Sequence, residues 1–196
     1  MTFEEQVKAA KKGDDDAFYE LILMNKQKLY SIAYCYFRNE HDTLEAMQEV
    51  TCRAYLKLNS LKEETYFSSW LCKIAINYCI NELKRKKKVL FIWDKSTAKD
   101  EKGLALEEEA SEEDKAFSED SNALDSSLDR LLIEEAISKI ENKYKSVIVL
   151  KYFQDMTTQE IARTLALPEG TVKTWLRRGL GQLKEILNKE GVYSAR

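Results

Sequence analysis

The sequence predicts an all-α protein made of two small helical domains joined by an acidic linker, and three observations carry that expectation. Of 196 residues only 6 are Gly and 1 is Pro, too few for the turns a sheet-rich fold requires. Apolar residues recur at helical spacing in both ends of the chain. Charge then divides it: residues 1–93 carry 15 basic and 13 acidic side chains, residues 94–127 carry 4 and 12, and residues 128–196 carry 12 and 9. The domains are accordingly placed at 1–93 and 128–196, with 94–127 as linker. Hydrophobic residues at 44% and charged residues at 33% call for packed cores under a charged surface and exclude collagen-like, disordered and disulfide-scaffold classes.

The first domain is read helix by helix. Thr2 with Glu5 forms a capping box, Phe3, Val7 and Ala10 repeat on one face, and Gly13 stops the helix. Asp14, Asp15 and Asp16 favour the start of a second helix, with Phe18, Leu21, Ile22, Leu29, Ile32, Ala33 and Tyr36 facing inward and a break at 38–41. Asp42 and Glu45 cap a third helix. Its Leu44, Met47, Thr51, Ala54, Tyr55 and Leu58 are expected inside, and Glu45, Gln48, Glu49 and Arg53 outside. A polar loop at 59–65 leads to Tyr66, Phe67 and Trp70 and a fourth helix with Ile74, Ala75, Tyr78 and Leu83, which closes on the cations of 84–88.

These aromatics have two readings. They are core anchors, or some stack on unpaired bases, since aromatic faces beside a basic groove are what holding a single strand requires. Five consecutive cations exceed what one helix end needs to satisfy its own dipole, so the basic run reads as a phosphate-facing patch.

The linker holds Glu107, Glu108, Glu109, Glu112, Glu113 and Asp114 with few large apolar residues, so burial cannot offset its ordering entropy. It is expected to be a flexible tether, with enough charge to lie over basic faces elsewhere in the chain.

The second domain carries the sharpest local signal. After amphipathic runs at 128–140 and 144–153, Thr157 and Glu160 form a capping box for 158–165. A turn follows at Ala166, Leu167 and Pro168, and Glu169 to Val172 open the next helix. Ile161, Ala162, Leu165, Val172 and Leu176 can share one small core. Lys173, Thr174, Arg177 and Arg178, with Trp175 beside them, then occupy the face that a helix-turn-helix turns to the major groove. Gly179 and Gly181 are expected to weaken or bend that helix, at about 1 kcal/mol each.

One His, no phosphate-binding glycine loop and no paired catalytic constellation leave nothing to perform chemistry, so an enzyme is not expected, nor a cofactor or metal. Cys35, Cys52, Cys72 and Cys79 form no CxxC pair and read as reduced thiols. No stretch approaches the roughly 18 apolar residues of a membrane span. With an acidic start in place of a secretion signal, a cytoplasmic protein that is not itself membrane-embedded is expected.

Taken together, Asp42 to Val50 with Arg53-Ala54-Tyr55, Phe67 to Leu71 with Ile74, Ala75 and Asn77, the cations Lys84-Arg85-Lys86, and Thr158 to Ala162 with Gly170 to Lys173 and Arg178 resemble a bacterial sigma factor of the extracytoplasmic function family. The resemblance spans both domains in order. It implies that Asp42, Glu45, Gln48, Glu49 and Arg53 dock on the β′ coiled coil of core RNA polymerase, with the β subunit as a further partner. It implies that Asn59, Tyr66, Phe67, Trp70, Lys73, Asn77, Lys84 and Arg85 melt and hold the −10 element, the 59–66 loop receiving an extruded base. Thr171, Lys173, Thr174, Trp175, Arg177 and Arg178 would read the −35 element. An anti-sigma factor, often membrane-anchored, is the implied regulator. Trp175, Gly179 and Asn81 depart from the usual Arg, Ala and Asp, so promoter preference is not transferred. The alternative is a stand-alone helix-turn-helix regulator that binds duplex DNA without polymerase.

Overall fold

The computed structural model describes residues 2–93, 133 and 135–189; the linker expected at 94–127 lies outside them. Among the described residues the regular elements are helices. They are α1 (Phe3–Lys11), α2 (Asp15–Phe37), α3 (Glu40–Lys57), α4 (Phe67–Trp93), α5 (135–138), α6 (Asn142–Ile148), α7 (Thr158–Leu165) and α8 (Glu169–Lys189). None of these is long and apolar enough to cross a membrane.

Local sequence explains the starts and stops. Thr2 and Glu5 make the expected capping box, Asp14 accepts from the Ala17 amide, and Gly13 takes φ 96°, a left-handed turn that a side chain would disfavour. Helix α3 begins earlier than Asp42 because Asn39 is its cap. The Asn39 side chain accepts from the Asp42 amide at 2.8 Å, which places Asp42 in the first turn. The polar loop contains two short 3₁₀ turns, Leu58–Ser60 and Glu64–Tyr66.

In the first unit α2, α3 and α4 pack around a core that α1 closes at one end. The inner face of α3 is rotated by one residue from the expected one: Thr43, Ala46, Val50 and Ala54 are buried, while Leu44 is 44% and Tyr55 49% exposed. Small side chains let α3 approach α2 and α4 closely, which the larger Leu44 and Tyr55 would prevent. Helix α4 continues through the basic run to Trp93. The cations at 84–87 therefore lie along a helix and not at its end, and the dipole cannot account for them.

In the second unit α6 passes through a π-helical turn (Val149–Phe153) into a bend at Asp155 (φ 51°), after which the capping box at Thr157 and Glu160 starts α7. Ala166 adopts φ 57° and closes α7, and α8 crosses beneath it over Ile161, Val172 and Leu176. Helix α8 runs unbroken through Gly179 and Gly181 to Lys189. Gly179 is buried against α6, where a Cβ would lie 2.8 Å from Ile148 Cδ1 and 3.0 Å from Tyr144 Cβ, while a Cβ at Gly181 would meet nothing within 4 Å.

The two units pack on each other. Tyr36 of α2 and Ser146 of α6 share a buried hydrogen bond of 2.9 Å. Lys145, only 2% exposed, donates to Ser138 O at 2.8 Å and sits 5.1 Å over the Tyr36 ring. Burial lowers its ammonium from 10.5 to about 8. Burial also pushes the Cys72 and Cys79 thiols up to about 11 and about 12, so these are inert core groups.

Two outcomes follow from this packing. Gly181→Ala should raise the thermal midpoint through helix propensity alone, whereas Gly179→Ala should cost about 1–2 kcal/mol by overpacking α6 on α8; paired melting curves check both. The unfolded chain retains the Lys145 proton to higher pH than the folded one, so stability should rise as pH passes from about 8 towards 9. Above 9 the buried thiols act in the opposite sense. Lys145→Met should be more stable than wild type at pH 7 and should flatten the rise between 8 and 9, read by denaturant titration.

Candidate nucleic-acid interface

On the second unit, the outer face of α8 is built by elimination. Val172 and Leu176 are turned into the core and Gly179 against α6, so Lys173, Arg177 and Arg178 are left exposed on the other side. Thr171 and Thr174 are half-buried at its edge, and Thr174 Oγ1 donates to Gly170 O at 2.9 Å within the helix. Glu169 pairs with Lys173 at 3.2 Å, an exposed i,i+4 contact that holds the glutamate below the usual carboxylate range. A phosphate can displace such a pair at little cost. Trp175 is not part of the exposed face. Its ring meets Tyr144 edge-on at 6.4 Å and is half-buried against α6, so it orients α8 and does not reach outward.

On the first unit, the aromatics separate. Phe67 is fully buried, edge-on to Phe3 at 6.1 Å, and is a core anchor; it cannot stack on a base. Trp70 lies half-buried over it at 5.8 Å, and Tyr66 is 40% exposed at the mouth of the loop. Lys73 is half-buried, while Asn59, Asn77, Lys84 and Arg85 are exposed. Tyr66, Trp70 and Lys73 line a cavity of about 360 Å³ under the loop. Asn59, Asn77, Lys84 and Arg85 are not among its lining residues.

The loop is held from below. Lys11, at the end of α1, donates to Leu61 O at 2.9 Å and to Glu64 Oε1 at 3.0 Å, which keeps the Glu64 carboxyl below its usual range. Sequence reasoning missed Lys11 because its partners lie about 50 residues away. Arg85 forms a two-pronged pair with Glu82, at 2.7 and 2.8 Å, which fixes its guanidinium along α4.

The outward face of α3 presents Glu45, Gln48, Glu49 and Arg53, all four exposed. Arg53 pairs with Glu49 at 3.4 Å and lies 4.6 Å over the Tyr78 ring. Asp42 is different. Its carboxylate is bridged by Lys86 of α4 at 2.7 Å and by Asn39 at 2.9 Å, contacts that lower it well below the usual carboxylate range and tie the start of α3 to the basic run.

A helix-turn-helix with a cationic outer face, packed on a second helical unit that carries aromatics and cations around a pinned loop, is the architecture of a transcription factor with two candidate nucleic-acid surfaces. The chain matches the family models for Sigma-70 region 2 over residues 21–89 and Sigma-70, region 4 over residues 130–183. It is 36% identical to the ECF RNA polymerase sigma factor SigW of Bacillus subtilis, covering 95% of this chain and 97% of that one. It is 28% identical to the RNA polymerase sigma factor SigV of the same organism, over 85% and 88%. Among solved structures, the sigma factor RpoE in complex with the anti-sigma factor NepR from Bartonella quintana superposes with a TM-score of 0.65 at 18% identity, covering 87% and 96%, which marks a shared fold. The chain belongs to the extracytoplasmic function family of RNA polymerase sigma factors.

Lys11→Met should free the loop. Amides of residues 58–66 should exchange about fivefold faster, in line with the loss of about 1 kcal/mol of local hydrogen bonding, while those of α2 stay unchanged; hydrogen-exchange mass spectrometry reads both.

Proposed function

We propose that this sigma factor grips core RNA polymerase through Glu45, Gln48, Glu49 and Arg53 on α3, with Asp42 acting as the brace that sets the angle of that helix. The −35 duplex is held by α8, where Lys173, Arg177 and Arg178 supply donors to phosphates and base edges and Thr171 and Thr174 border them. The opened −10 strand is captured at the loop, with Tyr66 and Trp70 as stacking surfaces, Lys73 and the cations of α4 on the backbone, and Asn59 and Asn77 at the edges. Phe67 and Trp175 position these surfaces from within. Each grip alone is weak, and joining them on one polymerase raises the effective concentration of the second without any new contact. Polymerase supplies the active site, and the chain itself catalyses nothing.

The observation that supports this reading most directly is the coexistence, in one chain, of an exposed cationic recognition helix and a half-exposed aromatic pair over a pinned, basic-flanked cavity. A duplex-binding regulator has use for the first alone. That RpoE forms a complex with the anti-sigma factor NepR supports an anti-sigma factor as the regulator.

The test is run-off transcription from a promoter library by bacterial core polymerase with and without the chain. Products with defined starts are expected only when it is added. Reversing Arg177 and Arg178 to Glu should lower product at least tenfold without loss of core binding. Trp70→Ala should leave closed-complex binding intact and reduce permanganate reactivity at the −10 element. Duplex binding by the chain alone, with no product, would establish the stand-alone regulator instead.

A further inference from the structure

The loop read as the −10 strand grip is seated on α1, a helix that lies before the stretch of residues 21–89 matched to region 2. The seat holds at two points. At the start of α1, Phe3 meets Phe67 edge-on at 6.1 Å and lines a pocket with Thr65. At its end, Lys11 donates to Leu61 O at 2.9 Å and to Glu64 Oε1 at 3.0 Å. The Lys11 and Glu64 side chains are only 22% and 23% exposed, so water screens this pair less than the open i,i+4 pairs of the surface.

The ammonium reaches the loop where its own turns leave it unsupported. Leu61 is the residue that closes the first 3₁₀ turn, and Glu64 opens the second, which ends on Tyr66. Fixing these two atoms fixes two directions. The Leu61–Lys62 peptide is trans, so aiming its carbonyl at Lys11 turns the Lys62 N–H the opposite way, away from α1. Holding Glu64 orients the short turn that carries Tyr66, whose amide donates to Glu63 O at 3.2 Å. Leu61, Lys62 and Tyr66 line the cavity together with Trp70 and Lys73, so what Lys11 sets from below is the shape of the surface above.

We propose that Lys11 is a positioning residue for promoter opening: through the Leu61 carbonyl and Glu64 it holds the loop in the arrangement that accepts the −10 strand and tells one base from another. This rests on reading the loop and its aromatics as the strand grip. Lys11 acts through the loop and contacts no DNA. A loop ordered in advance loses less entropy when a strand enters it, which strengthens capture. A loop of fixed shape also rejects the bases that do not fit, whereas a loose one adjusts to all of them.

The experiment uses holoenzyme assembled from core polymerase and the full chain, with a promoter recovered from the library. Its −10 strand is supplied as short fluorescent single strands carrying each of the four bases at the position the wild type discriminates most. Lys11→Met should bind the preferred strand about fivefold more weakly, as expected for the lost hydrogen bonds, and should narrow the spread among the four bases several-fold. Permanganate reactivity at the −10 element should fall with it while closed-complex affinity stays. Lys11→Arg, which keeps donors for both a carbonyl and a carboxylate, should restore strength and discrimination. Lys12→Met removes the same charge from an exposed neighbour and should change neither. Should Lys11→Met fail to assemble, Glu64→Gln carries the same comparison with about a twofold loss.

A salt titration separates positioning from direct contact. If Lys11 held a phosphate, Lys11→Met would weaken all four strands alike and lower the salt slope by about 0.7; that result, or equal losses from Lys11→Met and Lys12→Met, would overturn the proposal. So would unchanged binding and discrimination in Lys11→Met. Tyr66→Ala tells this failure from that of the underlying reading. If Tyr66→Ala loses discrimination and Lys11→Met keeps it, the strand grip stands and only the role of Lys11 falls; if Tyr66→Ala keeps it too, both fall.

Discussion

Burial of the Phe67 ring against Phe3 sets the rotation of α4, and most of the first unit follows from that setting. A buried Phe of this kind contributes about 1.5–3 kcal/mol, enough to decide which way a helix start faces. With Phe67 inside, Leu71, Ala75 and Cys79 follow it into the core one turn after another, and Trp70, Lys73 and Asn77 are carried away from it. The same rotation runs the cations of 84–87 along the helix, where Lys86 reaches Asp42 and braces α3. One ring contact thus couples the loop face of the unit to the outer face of α3.

The second unit is organised by a close approach. Gly179 lets α8 lie against Tyr144 and Ile148 of α6, and the edge-on contact of Trp175 with Tyr144 sets the helix rotation from the other side. Lys173, Arg177 and Arg178 point outward because these two residues are held in. Both units therefore use an inward-turned aromatic to aim cations at solvent, and in both the aromatic is itself a residue type that nucleic-acid binding uses. Composition cannot separate the two roles; burial does.

Electrostatics grade the surfaces by how tightly each charge is committed. The Asp42 carboxylate is bridged on two sides and serves the fold, whereas Glu169 and Lys173 pair in the open, where a phosphate can replace the glutamate. Lys145 is the extreme case, a cation removed from water with a carbonyl and a ring as its partners. Such a group weakens the contact it sits in, and it sits where the two units meet.

The sequence by itself determined the helical class, the capping boxes at Thr2 and Thr157, the limits of the helix-turn-helix and the cationic face of α8. Each of these is set by residues three to four apart, within reach of local hydrogen bonding and helical periodicity. The family, too, was legible, since its motifs are local and follow one another in order. Only the tertiary structure decided that Phe67 and Trp175 face inward, that Thr43, Ala46 and Val50 rather than Leu44 and Tyr55 line the inside of α3, and that Gly179 is a contact and not a break. Lys11 under the loop and Arg163 on Tyr66 join residues 50 to 97 positions apart. The physical reason is the same for all of them: periodicity defines a stripe to within about one residue, and which side chain on that stripe is covered depends on a neighbour brought in from elsewhere in the chain.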